Sequence, residues 1–158
     1  MINYMECANA FAEQNLLTNN GGPFGAVIVK NGVIVGTGSN NVIKNNDPTA
    51  HAEVQAIRDA CKNLNTYDLT DCVLYASCYP CPMCLSAIIW ANIKTVYFGY
   101  TKEDAAEIGF RDDYIYKFID SLNTDKPNED VLKLLQLDRD VTIQTFEKFK
   151  NKEDKTIY

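Results

Sequence analysis

The 158-residue chain has one histidine and one tryptophan, and no apolar run approaches the roughly 20 residues needed to cross a bilayer. The opening stretch, Met1 to Cys7, lacks the basic start and apolar centre of a secretory leader, so a cytoplasmic protein is expected. Basic residues are also scarce. Fifteen Lys and Arg against 21 Asp and Glu leave a formal net charge of −6 and a pI near 4.7. Phosphate neutralisation supplies most of the affinity of nucleic-acid binders, so this balance argues against a nucleic-acid partner. Wholesale disorder is excluded by 46% hydrophobic and 23% charged residues. The length fits a single domain spanning 1–158, large enough to bury roughly 70% of its unfolded surface.

Charge is uneven along the chain. Of its 36 charged residues, 24 lie in 101–158, 14 of them acidic and 10 basic. The first 100 residues hold the histidine and all six cysteines, so the chemistry is expected there. Three disulfides are a poor reading of those cysteines, because no leader precedes them and the chain is long enough to fold without staples. Four of them, Cys72, Cys78, Cys81 and Cys84, crowd into 13 residues, which in a reducing compartment points to metal.

Helical spacing of Ile2, Met5, Ala8, Ala12 and Leu16 predicts a helix over 2–17. An apolar β-branched run, Ala26 to Val29, meets Asn31-Gly32, a strong hairpin signal, and Val33 to Val35 begins the return strand. A helix is expected from near Thr49, with Ala56, Ile57, Ala60, Cys61 and Leu64 as its buried stripe. Residues 73–76 and 95–98 read as strands, with a helix from about Cys81 to Ala91 between them. Further on, 103–108, 112–121 and 140–151 look helical, and Leu132 to Leu137 fits either strand or helix. Strand–helix alternation in the middle of the chain implies an α/β/α sandwich around one mixed sheet.

His51-Ala52-Glu53 is followed by Pro80-Cys81-Pro82-Met83-Cys84. H-x-E with P-C-x-x-C is the established signature of zinc-dependent nucleobase deaminases. The chemistry agrees with the motif. A catalytic zinc takes three protein ligands and one water, and it accepts imidazole nitrogen and thiolate sulfur. His51, Cys81 and Cys84 supply one imidazole and two thiolates, whose two negative charges balance the ion. Residues two apart on a helix diverge by roughly 200°, so His51 and Glu53 serve one site only if it lies over the helix N-terminus. Cys81 and Cys84 occupy the start of the next helix. Two helix N-termini should therefore point at one metal and stabilise the thiolates. Glu53 is not needed as a ligand and is placed to carry a proton from water to a substrate nitrogen. A redox Cys-x-x-Cys pair explains neither the His nor the Glu. A closed structural site with Cys78 as fourth ligand is the competing reading; Cys78 precedes Pro80 and the helix start, which weighs against it.

Gly21-Gly22-Pro23-Phe24-Gly25-Ala26-Val27-Ile28-Val29, Asn46 to Val54, Cys81 to Cys84, Ala87 to Ala91 and Gly109-Phe110 resemble the small bacterial guanine deaminases of the cytidine deaminase-like superfamily. The likeness runs over nearly the whole chain and is weakest in 121–145. It implies a three-layer sandwich with a mixed five-stranded sheet, and zinc-dependent deamination of guanine to xanthine with release of ammonia. His51, Cys81 and Cys84 match the Zn2+ ligands and Glu53 the proton shuttle. Phe24 and Trp90 match aromatic walls of the base pocket, Asn40 and Asp112 its polar groups, and Ala52 and Tyr79 further pocket positions. The last residue, Tyr158, resembles a C-terminal tyrosine that enters the pocket. Segment 140–158 is implied to be exchanged in a domain-swapped homodimer. From the residues alone, Phe24 and Trp90 equally fit core aromatics, Asn40 a turn and Asp112 a solvated charge. One position departs from the pattern: the family usually has Glu before Pro-Cys, whereas this chain has the larger, neutral Tyr79. The departure bears on which base is accepted. A guanine nucleoside, another aminopurine, a pterin and tRNA adenosine are the alternatives within this chemistry, and a non-catalytic zinc-stabilised module is the alternative outside it.

Overall fold

Asn31 and Gly32 take positive φ angles of 50° and 77°. A two-residue hairpin turn needs this backbone, and an Asn-Gly pair adopts it at little cost. The turn joins β1 (Gly25–Lys30) to β2 (Val33–Ser39) as an antiparallel pair, with Lys30 opposite Val33. The structure, a computed structural model, describes residues 1–158 and divides them into two compact units, 1–116 and 117–158.

The first unit also contains α1 (Tyr4–Gln14), a short α2 (Val42–Asn45), α3 (Ala52–Leu64), β3 (Cys72–Cys78), α4 (Pro82–Trp90), β4 (Thr95–Tyr100) and α5 (Lys102–Glu107). Strand order is β2-β1-β3-β4, with β1 antiparallel to both neighbours and β3 parallel to β4. One face of the sheet packs Val27 and Val29 against Ala8 of α1, flanked by Tyr4 and Phe11. The other face closes Ala26, Ile28, Leu74 and Ala76 under Ala52, Ala56 and Ala60 of α3 and Ile88 of α4. With both faces covered, β1 is buried from Gly25 to Val29, which is why it reads as a continuous apolar run rather than an alternation. The architecture is the expected α/β/α sandwich.

Helix α3 lies directly on β2. A Cβ at Gly38 would stand 2.0 Å from the Ala52 carbonyl oxygen, and one at Gly36 2.5 Å from that of Ala56. Only glycine allows this approach, and the alanine stripe Ala52, Ala56 and Ala60 completes it from the helix side.

The sheet has four strands rather than the expected five. Residues 132–137 form neither strand nor helix, because a strand needs a partner and 117–158 contains no other one. Helix boundaries also move inward. Asn3 caps α1 by accepting from Met5 and Glu6 backbone N–H groups, which leaves the periodic Ile2 and Leu16 outside the helix and exposed. The helix expected from Thr49 starts at Ala52, because Asp47 accepts from both the Thr49 N–H and its hydroxyl and holds 47–49 in a turn. Helices α5, α6 (Asp112–Ser121) and α7 (Arg139–Lys150) match the three expected in the last third. In the second unit α7 buries none of its residues, and Leu134, Leu135, Leu137, Val141 and Phe146 are exposed.

Candidate active site

His51 and Cys81 are the N-caps of α3 and α4, and neither uses its side chain to cap its helix. An N-cap side chain ordinarily folds back onto the first-turn N–H groups. Here the backbone carbonyls alone begin the helices, accepting from Gln55 and Leu85 N–H groups. Both side chains are left to point outward along the helix axes. Pro82 at the first helical position costs α4 no hydrogen bond, and Cys84 lies in the first turn.

The three side chains converge. His51 Nδ1 is 3.6 Å from Cys81 Sγ and 3.6 Å from Cys84 Sγ, and all three donor atoms lie within 4.8 Å of one another. Tetrahedral zinc, with Zn–N of about 2.0–2.1 Å and Zn–S of about 2.3 Å, sets its nitrogen and sulfur ligands about 3.5–3.6 Å apart. Donor chemistry and spacing both fit Zn2+. Cys78 stands outside this triangle: its Sγ donates to the Thr101 carbonyl at 3.8 Å, and burial pushes its thiol up to about 12. The three-ligand expectation therefore holds over the closed four-ligand one.

The neighbouring Cys84 and His51 push the Cys81 thiol well below the ordinary cysteine range. Cys84 is pushed up by the neighbouring Cys81 and by burial. His51 is raised by its hydrogen bond to Cys81. Glu53, 7% exposed, is pushed up chiefly by burial, and its Oε2 accepts from Cys84 Sγ at 3.4 Å. A buried carboxyl beside the metal donors suits proton transfer.

A cavity of about 440 Å³ opens over this floor, lined by His51, Glu53 and Cys81 and walled by Phe24, Asn40, Tyr79 and Asp112. Four of the seven pocket residues expected from the resemblance thus meet here. Phe24 is held edge-on by Phe110, with ring centroids 4.7 Å apart at 84°. Burial pushes the Asp112 carboxyl up. The Tyr79 ring meets Phe98 edge-on at 5.0 Å, and Lys102 Nζ lies over it at 5.6 Å. Two others lie outside the cavity. Ala52 is fully buried beneath Gly38. Trp90, two-thirds exposed, ends a nine-residue helix and so stands about 13 Å along it from the cysteine end. Tyr158 ends the second unit, exposed. Phe110, Val42, Ile43 and Pro48 line the cavity without having been assigned to it from sequence. Phe110 was quoted in the resemblance, and the left-handed Gly109 before it, at φ 98°, is the local signal that turns it inward.

Residues 1–100 match the family model of the cytidine and deoxycytidylate deaminase zinc-binding region. The chain belongs to this family. It is 64% identical to guanine deaminase of Bacillus subtilis (strain 168) over 100 residues, which are 63% of this chain and 64% of that protein. It is 46% identical over 82 residues to a tRNA-specific adenosine deaminase of Buchnera aphidicola, covering 52% of this chain and 54% of that protein. The chain thus spans between half and two thirds of the length of these curated relatives. The X-ray structure of guanine deaminase from Bacillus subtilis matches with a TM-score of 0.89 and 47% identity over 98% of this chain and 96% of that one. Likeness of fold therefore continues past the segment in which sequence similarity is strongest.

The purified protein is expected to carry one zinc per chain by elemental analysis. Cys84→Ser should lose most of it, and Cys78→Ser should retain it at full stoichiometry; zinc loss in Cys78→Ser would restore the four-ligand reading.

Proposed function

We propose that this protein hydrolyses guanine to xanthine and ammonia. The observation that carries this reading is the His51–Cys81–Cys84 triangle with buried Glu53 at the floor of a cavity walled by Phe24, Asn40 and Asp112. The likeness to the Bacillus subtilis guanine deaminase supports the choice of base. In this reaction the water oxygen bonds to the carbon bearing the exocyclic amino group, the C–N bond breaks, and the nitrogen leaves as ammonia with protons drawn from water. Bound zinc supplies the Lewis acidity that makes water a nucleophile at neutral pH. Glu53 takes the proton that water gives up and delivers it to the nitrogen of the base. Phe24 offers the ring an apolar face. Asn40 and Asp112 offer hydrogen-bonding groups to its heteroatoms.

A net charge of −6 favours a free base over a polyanionic RNA. Zinc thiolates require reduced cysteines, and all six are free thiols, which supports a cytoplasmic setting. The working unit in this reading is a single deaminase domain in a homodimer that exchanges 140–158, with Tyr158 completing the partner's pocket. The uncovered Val141, Phe146 and Phe149 of α7 support an intermolecular cover. Tyr79 takes the position where the family usually has Glu. Its phenol offers a donor and a stacking face to the base edge in place of a carboxylate acceptor.

Four results test these assignments. Ammonia release over guanine, guanosine, adenine, cytosine and pterins should be highest with guanine, and Glu53→Gln should cut turnover by about 10²–10⁴-fold while keeping zinc. Tyr79→Glu should raise kcat/KM for guanine relative to the other bases of the panel, and unchanged ratios would make Tyr79 a bystander. Deleting the last few residues should impair activity more than stability, and mixing that chain with a zinc-site variant should restore activity if the tails are exchanged. A monomeric mass together with no restoration opposes the exchange.

A further inference from the structure

The cavity has two kinds of support. Its floor sits on the starts of α3 and α4, whereas one side of its wall comes from two segments, Gly21 to Phe24 and Asn40 to Ile43. The loops approach each other closely: a Cβ on Gly21 would stand 2.1 Å from Asn40 Oδ1 and 2.5 Å from the Asn40 carbonyl oxygen. Backbone bonds lace them, from Asn40 N–H to the Phe24 carbonyl at 3.1 Å and from Ile43 and Lys44 N–H to the Asn20 carbonyl at 2.9 and 3.0 Å.

One buried side chain joins this lacing. Asn15, 7% exposed at the C-cap of α1, donates from its single Nδ2 to the Gly22 carbonyl at 2.8 Å and the Asn40 carbonyl at 2.7 Å. Both amide hydrogens are thereby used, one on each loop. The other end of the amide, Oδ1, accepts from the Thr18 hydroxyl at 3.4 Å, and the two carbonyl acceptors fix which way the group faces. Asn40 in turn uses Oδ1 to accept from the Val42 N–H at 3.2 Å, so its own Nδ2 is left for the cavity it lines. Releasing the Asn40 carbonyl would unseat that donor, and releasing the Gly22 carbonyl would loosen Phe24 two residues on.

We infer that Asn15 is a positioning residue for base recognition: it acts through Asn40 and Phe24 by clamping the two loops at a fixed separation, and it takes no part in the chemistry at the metal. The Asn15 side chain bonds to Gly22, Asn40 and Thr18, and none of these is a metal donor or Glu53. Its effect should therefore fall on binding shared by ground and transition states, which raises KM and leaves kcat in place. This rests on the cavity being the base site of the proposed deaminase.

The test uses the full-length, zinc-loaded protein. Asn15→Ala removes both donors. Asn15→Asp keeps the size but sets an acceptor against two carbonyl oxygens. Loss of two buried hydrogen bonds should raise KM for guanine by about ten- to a hundredfold, with kcat within about threefold and one zinc per chain retained. In a double-mutant cycle, Asn15→Ala in an Asn40→Ala background should change kcat/KM by less than about threefold, because the wall it supports is already lost. A purely structural role would instead lower kcat, zinc content and KM-independent yield together, and the two substitutions would multiply. Hydrogen exchange supplies a readout independent of turnover. Exchange should quicken in residues 20–24 and 40–45 of Asn15→Ala and stay unchanged in 81–91. Unchanged exchange in the two loops, or a uniform rise along the chain, overturns the inference, as does failure of both variants to fold. If the wild-type protein leaves guanine untouched, the substrate reading falls separately. The kinetic comparison then uses whichever base of the panel is turned over, and loop exchange alone decides where none is.

Discussion

The 3.6 Å between His51 Nδ1 and each cysteine sulfur is set by how two helices are seated on a sheet, not by the ligands themselves. Helix α3 is pressed against β2 where Gly36 and Gly38 leave no side chain between the backbones. Helix α4 follows β3 through Cys78, Tyr79 and Pro80, so its start is fixed by the strand that precedes it. β1 lies between β2 and β3 and thereby holds both helix starts in one frame. Packed interiors deform little. A shift of α3 along β2 by even a fraction of a helical turn would pull His51 away from the sulfurs, and a preformed donor triangle would be lost. The metal site is thus a consequence of backbone-to-backbone packing about one turn below it.

Above that rigid floor, recognition is assigned to loops, as is common where a stable scaffold carries a variable specificity. The division has a chemical logic. Activating water and moving its proton need atoms held to a fraction of an ångström, which helix starts provide. Choosing among flat amino-heterocycles needs a few donors and acceptors and one apolar face, which short loops can carry and exchange. Tyr79 lies at the seam between the two regions, on the corner from β3 into α4, and lines the cavity beside the ligand Cys81.

Much of this was legible in the residues. The Asn31-Gly32 turn, the α3 stripe and the His51, Glu53, Cys81 and Cys84 constellation each rest on local rules of backbone or ligand chemistry, and the structure places them as those rules imply. The less legible features depend on long-range partners. A fifth strand in 132–137 could not be judged from its own Leu-rich run, because strands exist only as pairs. Trp90 was grouped with the pocket by resemblance, whereas the length of α4 carries it away from the cavity. Phe110 was quoted in the resemblance but given no role, and Asn15 gave no sequence signal that separates it from an ordinary helix-ending polar residue. Their roles arise from what the fold brings beside them, Phe24 in one case and two loop carbonyls in the other.

The single histidine has a spectroscopic consequence. Imidazole is the one side chain whose ordinary pKa places its charge change between pH 5 and 8, and here the only imidazole in 158 residues is a donor of the metal triangle. No other histidine contributes background. The ring-proton signals of His51 are therefore the only histidine signals in a proton spectrum, and their position reports on the occupancy of the site with no ambiguity over which histidine they belong to.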